Sequence, residues 1–247
     1  RRHTRYWRDW SSDVCSSDLN HDILCAGFPC QPFSISGHKL GFRDTRGTVF
    51  FNVVQIAKVK KPSIIFLENV KHMIHHDKGN TLKVILRELD KLGYKTSWKL
   101  LNAKDFGLAQ NRERIIIIGS RKKKFDFTKI KNVKEKAIKD ILDKEGEFEY
   151  LKRNEYTLLP KKMWKKQDSG LIFCGYRNKR IRKAGTRPNT NHLSRVHKQP
   201  NRIYHVDGTH PTLPSQETSG RFWIYDGFKV RKLTIDEAYK LQGFPKI

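Results

Sequence analysis

Cysteine is scarce in this chain and never paired in a motif. Only Cys15, Cys25, Cys30 and Cys174 occur in 247 residues, and no two form a C-x-x-C pair. The histidines complete no zinc spacing either, so a zinc finger or ribbon is excluded and no metal is expected. Four thiols in a strongly basic chain do not read as a disulfide framework. No apolar run approaches the roughly 18 residues needed to cross a bilayer. No secretory signal is legible, so a cytoplasmic location without a membrane partner is expected. Internal repeats are missing too, which excludes a solenoid. Acidic residues are the last shortage: 25 Asp and Glu stand against 51 Lys and Arg, for a formal net charge of +26. A surplus of that size points to a polyanionic partner, most often nucleic acid. The plainer alternative is charge kept for solubility.

The length allows one sizeable core, or one core with a smaller lobe. Residues 1–19, RRHTRYWRDWSSDVCSSDL, carry no helix or strand period and read as a non-native or disordered segment. From His21 a regular alternation begins. HDILCAG reads as a buried strand with Cys25 in the core. GTVFFNVVQIAKVKK reads as an amphipathic helix with Val49, Val53, Ile56 and Ala57 on one face. SIIFLEN is a second apolar strand, and NTLKVILRELDKLG is a second helix ended by Gly93. YKTSWKLLN and RERIIIIGS read as two more strands. This order predicts an α/β fold with a parallel, doubly wound sheet and a site in the loops at the carboxyl ends of the strands.

The composition then changes. Residues 20–149 are expected to form the main domain, 150–228 a small irregular, mostly-β lobe, and 229–247 a return to the main domain. The lobe is basic, aromatic and turn-rich, with Cys174 in its core. At the end, Thr234 is a good helix N-cap, Glu237 completes a capping box and Gly243 stops the helix.

Four features carry the chemistry: PCQ at 29–31, ENV at 68–70, QNRER at 110–114 and RKLTIDEAYKLQGFP at 231–245. Each is weak alone. In this order and spacing the set resembles the cytosine carbon-5 DNA methyltransferases of bacterial restriction–modification systems. The likeness covers residues 20 to about 120 closely and 195–247 well.

The resemblance implies a Rossmann-like domain that uses S-adenosylmethionine as methyl donor. Carbon 5 of cytosine is a poor nucleophile until another nucleophile adds to carbon 6, and a soft thiolate suits that step. The family's pattern gives this role to Cys30. It gives Glu68 the contact to ring nitrogen 3 of the cytosine and Asn69 the orientation of the loop. Arg114 falls on the arginine that meets the flipped base and the carboxylate, and Arg112 on the one near phosphate or sulfur. Pro29 and Val49 match positions lining the donor pocket. Gln110 reads as structural.

A base inside a duplex cannot offer its face to a thiol, so it must be extruded. The glycine-rich segment 34–48 resembles the family's mobile loop, with Gly37, Gly41 and Gly47 as hinges. Gln31, Ser34, Ser36 and Arg46 are its expected DNA contacts: Ser36 enters the duplex and Arg46 meets phosphate. The lobe matches the target-recognition domain. There Gln199 fills the gap left by the base, Arg202 reads guanine and Thr212 touches phosphate. Arg182, Lys183, Arg187 and Arg195 are further phosphate candidates.

The sequence departs from the family at both ends. The Gly-rich donor motif F-x-G-x-G-G and the closing Gly-Asn-Ser-Val segment are not present, so a chain truncated at both ends is expected. The implied partners are double-stranded DNA and, genetically, a restriction endonuclease. The implied state is a monomer in the bacterial cytoplasm, near the nucleoid. A non-catalytic DNA-binding remnant is the alternative. An RNA cytosine methyltransferase shares the chemistry but fits the size of the lobe less well.

Overall fold

The computed structural model describes residues 20–28, 48–179, 196–214 and 222–245. The expected contacts Pro29, Cys30, Gln31, Ser34, Ser36 and Arg46 lie outside them, as do residues 1–19 and the basic side chains between 180 and 195. The chain divides into two compact units. One holds the described residues of Arg1–Leu100 and Arg114–Lys129, the other those of Leu101–Glu113 and Ile130–Ile247. The divisions expected at 149/150 and 228/229 therefore do not coincide with the divisions between units.

The first unit is built on β1 (Ile23–Gly27), α1 (Thr48–Lys60), β2 (Ile64–Val70), α2 (Asn80–Lys91) and β3 (Lys95–Asn102). After β4 (Gln110–Asn111), which joins the other unit, β5 (Glu113–Ser120) returns to complete a four-stranded sheet of order β1-β2-β5-β3. β1 and β2 are parallel, as expected. β5 runs antiparallel to β2, so the sheet is mixed. The physical reason is the connection: a parallel strand needs a long, usually helical crossover. Residues 103–112 supply only a short 3-10 turn and β4.

One sheet face is closed by both helices. Ile65 and Leu67 of β2 and Ile115 and Ile117 of β5 pack with Phe50, Val53, Val54 and Ala57 of α1 and Leu82, Ile85 and Leu89 of α2. The α1 contacts recur three and four residues apart, the spacing of one helix face. Val49 packs partly buried at the edge of this cluster, and Ile56 is only half buried. Gly93 takes φ 81°, a left-handed conformation that ends α2.

Cys25 corrects the reading of β1 as buried on both sides. Leu24 and Ala26 face the core, whereas Cys25 points the other way and is exposed. Its register partner Phe66 is 36% exposed as well. Among the described residues the helices cover one face of this sheet, so the doubly wound arrangement is not seen there, and an apolar run proves compatible with a half-buried strand.

The second unit contains a five-stranded sheet. β6 (Tyr156–Leu158), β7 (Phe173–Arg177), β8 (Arg202–His205), β10 (Trp223–Tyr225) and β11 (Val230–Lys232) stand in the order β11-β10-β8-β7-β6. β9 (His210–Pro211) pairs with β4 instead. Alternate residues of this sheet feed two apolar clusters: Phe173, Tyr204 and Ile224 in one, Cys174, Ile203 and Trp223 in the other. Cys174 is a core residue, and burial pushes its thiol well above the ordinary range.

Helix α3 (Ile235–Leu241) follows β11 directly and has the expected capping box. The Glu237 amide donates to Thr234 Oγ1 at 3.1 Å, and the Thr234 amide donates to Glu237 Oε2 at 2.9 Å. Gly243 closes the helix at φ 86°. Glu237 does more than cap. Fully buried, it accepts from Arg231 Nη1 at 2.9 Å and Nη2 at 2.7 Å, and from the Asp143 amide at 2.9 Å. The Arg231 guanidinium also lies 4.2 Å from the centre of the Phe148 ring.

Removing one partner of a buried pair strands the other charge, at a cost of about 3–5 kcal/mol. Arg231→Met is expected to lose about that much stability in urea unfolding. Adding Glu237→Gln to that variant should recover part of the loss, because a neutral amide no longer buries a charge.

Candidate active site

The carboxyl ends of β1 and β2 lie side by side, with Gly27 in register with Glu68. Successive strand residues point to opposite faces, and here the alternation assigns separate jobs. Asn69 turns inward and is buried. Its Nδ2 donates to the Phe28 carbonyl at 2.6 Å, and its Oδ1 accepts the Val70 amide at 2.9 Å. Asn69 thus ties the end of β2 to the last described residue before Pro29 and Cys30. Glu68 turns to the opposite face, away from the helices.

Arg114 meets Glu68 there. In the antiparallel register Arg114 is opposite Val70, and Glu68 is opposite Ile116. The two ionic side chains are therefore diagonal neighbours on one face, within reach of a long side chain. Arg114 Nε stands 2.7 Å from Glu68 Oε1. The glutamate side chain is 38% exposed and the arginine 20%. Ion pairs this open to water contribute about 0–1 kcal/mol, so stability does not account for this one. Its effect is geometric: the guanidinium fixes one carboxylate oxygen, and the partly open site leaves access to the other. Gly27, opposite Glu68, adds no side chain beside that carboxylate.

The other sequence-derived candidates separate by unit. Arg112 belongs to the second unit, in the break between β4 and β5, not within a continuous strand with Arg114. Its amide donates to Asn102 Oδ1 at 3.0 Å, and its carbonyl accepts the Ala103 amide at 3.1 Å. Asn102 also donates to Asn111 Oδ1 at 2.7 Å, so one amide side chain shapes this turn. Asn102 belongs to none of the four motifs, yet an Asn at a strand end before a short turn is a common place for side-chain-to-backbone bonds. Gln110 is buried, with Nε2 donating to the Leu241 carbonyl at 3.3 Å, as suits a structural residue.

In the lobe, Gln199 opens a short 3-10 turn and is exposed. Arg202 begins β8 and is half buried. Thr212 donates its hydroxyl proton to the Asn111 carbonyl at 2.8 Å. A hydroxyl has one proton to give, so donating to a phosphate would require breaking that bond. Val49 sits at the edge of the first unit's core. No group of three or more His, Cys, Asp or Glu among the described residues is arranged to hold a metal ion. No described helix is long and apolar enough to cross a membrane.

Comparison with known proteins decides the family. The family model for C-5 cytosine-specific DNA methylases matches residues 10–247. The chain belongs to that family. Type II methyltransferase M.NlaX of Neisseria lactamica is 37% identical over 94% of the chain and 69% of its own length. M.HhaI of Haemophilus parahaemolyticus is 39% identical over 92% of the chain and 66% of its own length. M.HaeII of Haemophilus aegyptius reaches 58% identity over 48% of the chain, which spans only 38% of that relative. Among solved structures, the Dnmt2 methyltransferase of S. pombe matches 96% of the chain and 70% of its own, with TM-score 0.58 and 16% identity. At that identity the likeness speaks for the α/β methylase fold, with a mixed sheet like the one described above.

The two described thiols differ in access: Cys174 is sealed in a core, and Cys25 is exposed on β1. Iodoacetamide applied to the native protein should therefore alkylate Cys25 readily and leave Cys174 unmodified until denaturant is added. Peptide mass spectrometry reads both sites.

Proposed function

We propose that this C-5 cytosine DNA methylase acts as a DNA (cytosine-5-)-methyltransferase of the restriction–modification type, on a cytosine flipped out of a short duplex site. The observation that carries the reading is the Glu68–Arg114 pair, 2.7 Å apart on one sheet face and next to the end of the strand that leads to Cys30.

The residues take these roles. The Cys30 thiolate adds to carbon 6 of the cytosine, and a new C–S bond forms as the C5=C6 electrons shift to carbon 5. Glu68, steadied by Arg114, meets ring nitrogen 3 and draws electron density as sulfur adds. S-adenosylmethionine supplies the methyl group, which carbon 5 takes as the donor's methyl–sulfur bond breaks. Loss of the carbon-5 proton then expels the thiolate and restores the ring. Asn69 anchors the segment that leads to the nucleophile, and Arg112 works near the phosphate or sulfur. Pro29 and Val49 would help hold the donor: an apolar side chain such as Val49, half exposed at a core edge, suits the methylene and thioether portions of that molecule.

On the DNA side, Gln31, Ser34, Ser36 and Arg46 contact the duplex around the extruded base. Gln199 fills the vacated space. It is exposed at the start of a turn, which suits that reach. Arg202 reads guanine in the major groove, where an arginine can pair with O6 and N7. Thr212 serves better as a latch between β4 and β9 than as a phosphate donor. The surplus of positive charge favours approach to DNA in general, and a cognate endonuclease is the expected genetic partner.

The test uses duplex DNA of mixed sequence carrying 5-fluorocytosine, with labelled S-adenosylmethionine. Fluorine cannot leave carbon 5 as a proton does, so the enzyme stays bonded to its substrate. A labelled covalent complex that is lost in Cys30→Ala is the expected outcome. DNA binding without any covalent complex would overturn the reading and leave a DNA-binding remnant.

A further inference from the structure

The guanidinium proposed to read guanine is already held from behind. Arg202 Nε donates to the His197 carbonyl at 3.0 Å. The ring of His197 lies on Tyr176, with centroids 3.8 Å apart and planes 15° from parallel. Tyr176 is the β7 residue in register with Arg202 on β8. Phe173, three residues earlier on β7 and beyond a shift in the β7–β8 register, closes on the same imidazole at 6.1 Å. His197 is 2% exposed and Phe173 6%, so the imidazole is locked among rings while Arg202 remains half buried.

We propose that Tyr176 and His197 are positioning residues for target specificity: their stack fixes the His197 carbonyl, which engages Arg202 Nε and presents the Nη1/Nη2 edge to the DNA. The inference rests on Arg202 being the base-reading arginine of the function proposed above.

The geometry has a chemical consequence. Guanidinium offers five N–H donors in a rigid fork. With Nε committed to the protein, the edge formed by Nη1 and Nη2 is the one left for two parallel bonds to guanine O6 and N7. An arginine without this clamp would sample many rotamers and could offer either edge. The stack therefore converts a flexible cation, suited to any phosphate, into a directed reader. Neither ring touches DNA in this scheme, and both act through Arg202.

Binding selection from a randomised duplex library tests this, with wild type, Arg202→Ala, Tyr176→Leu and Tyr176→Phe compared at equal salt. Arg202→Ala should abolish the guanine preference at one position of the selected site. Tyr176→Leu should weaken the preference at that same position about tenfold, within the range of one bidentate contact, and leave the other positions unchanged. Tyr176→Phe keeps the stacking ring and should behave as wild type. If Tyr176→Leu does not fold by circular dichroism, His197→Leu removes the stack from its other side and takes its place. Full guanine preference in the folded stack variant, alongside its loss in Arg202→Ala, would overturn the inference while leaving Arg202 as the reader. Unchanged preference in Arg202→Ala would overturn both the reader and its clamp. The covalent-complex experiment would still judge the methyltransferase reading separately.

Discussion

The antiparallel register between β2 and β5 is the constraint on which the candidate site depends. It sets Val70 opposite Arg114 and Glu68 opposite Ile116, and so leaves the two charges as diagonal neighbours. The same register puts Ile65, Leu67, Ile115 and Ile117 under the two helices. A slip of one residue in either strand would turn that strand's two apolar side chains outward and its charged side chain inward, and so split the pair. Burial of the isoleucines and leucines, each worth about 1.5–3 kcal/mol, thus enforces the position of a pair that contributes little stability itself. Packing on one face of the sheet aligns the chemistry on the other.

The second unit follows a different logic, in which buried polar groups set loops and ends. Glu237 joins β11, the start of α3 and the Asp143 segment through one carboxylate. Asn102 does similar work in the turn before Arg112. The His197 carbonyl holds Arg202. Short strands bury too little apolar surface to define their own ends, and hydrogen bonds to charged or amide groups provide that definition.

Much of this was legible in the residues. Both longer helices, four strands of the first unit and the capping box at Thr234 could be read from periodicity and punctuation. Those signals are local, and Gly93 and Gly243 behave as helix stops because positive φ suits glycine. What escaped was pairing. HDILCAG shows the same apolar run whether one face is covered or two, so the exposure of Cys25 was hidden. The direction of β5 depends on the shortness of its connection, and the place of β4 depends on β9, about 100 residues away. At the site, the motifs identified Glu68, Asn69 and Arg114 by type. Only the register and the inward turn of Asn69 explain why one carboxamide faces the backbone and one carboxylate faces an arginine.

The most direct measurement is a double-mutant cycle on the rate of covalent-complex formation with 5-fluorocytosine DNA. Glu68→Gln and Arg114→Met would be made singly and together. Groups that act as one unit are strongly non-additive. Each single variant should slow the step about a hundredfold, in keeping with loss of a positioned acid–base group. The double variant should be only slightly slower than either. Losses that multiply across the two positions would contradict the pairing of Glu68 and Arg114 as a single catalytic device.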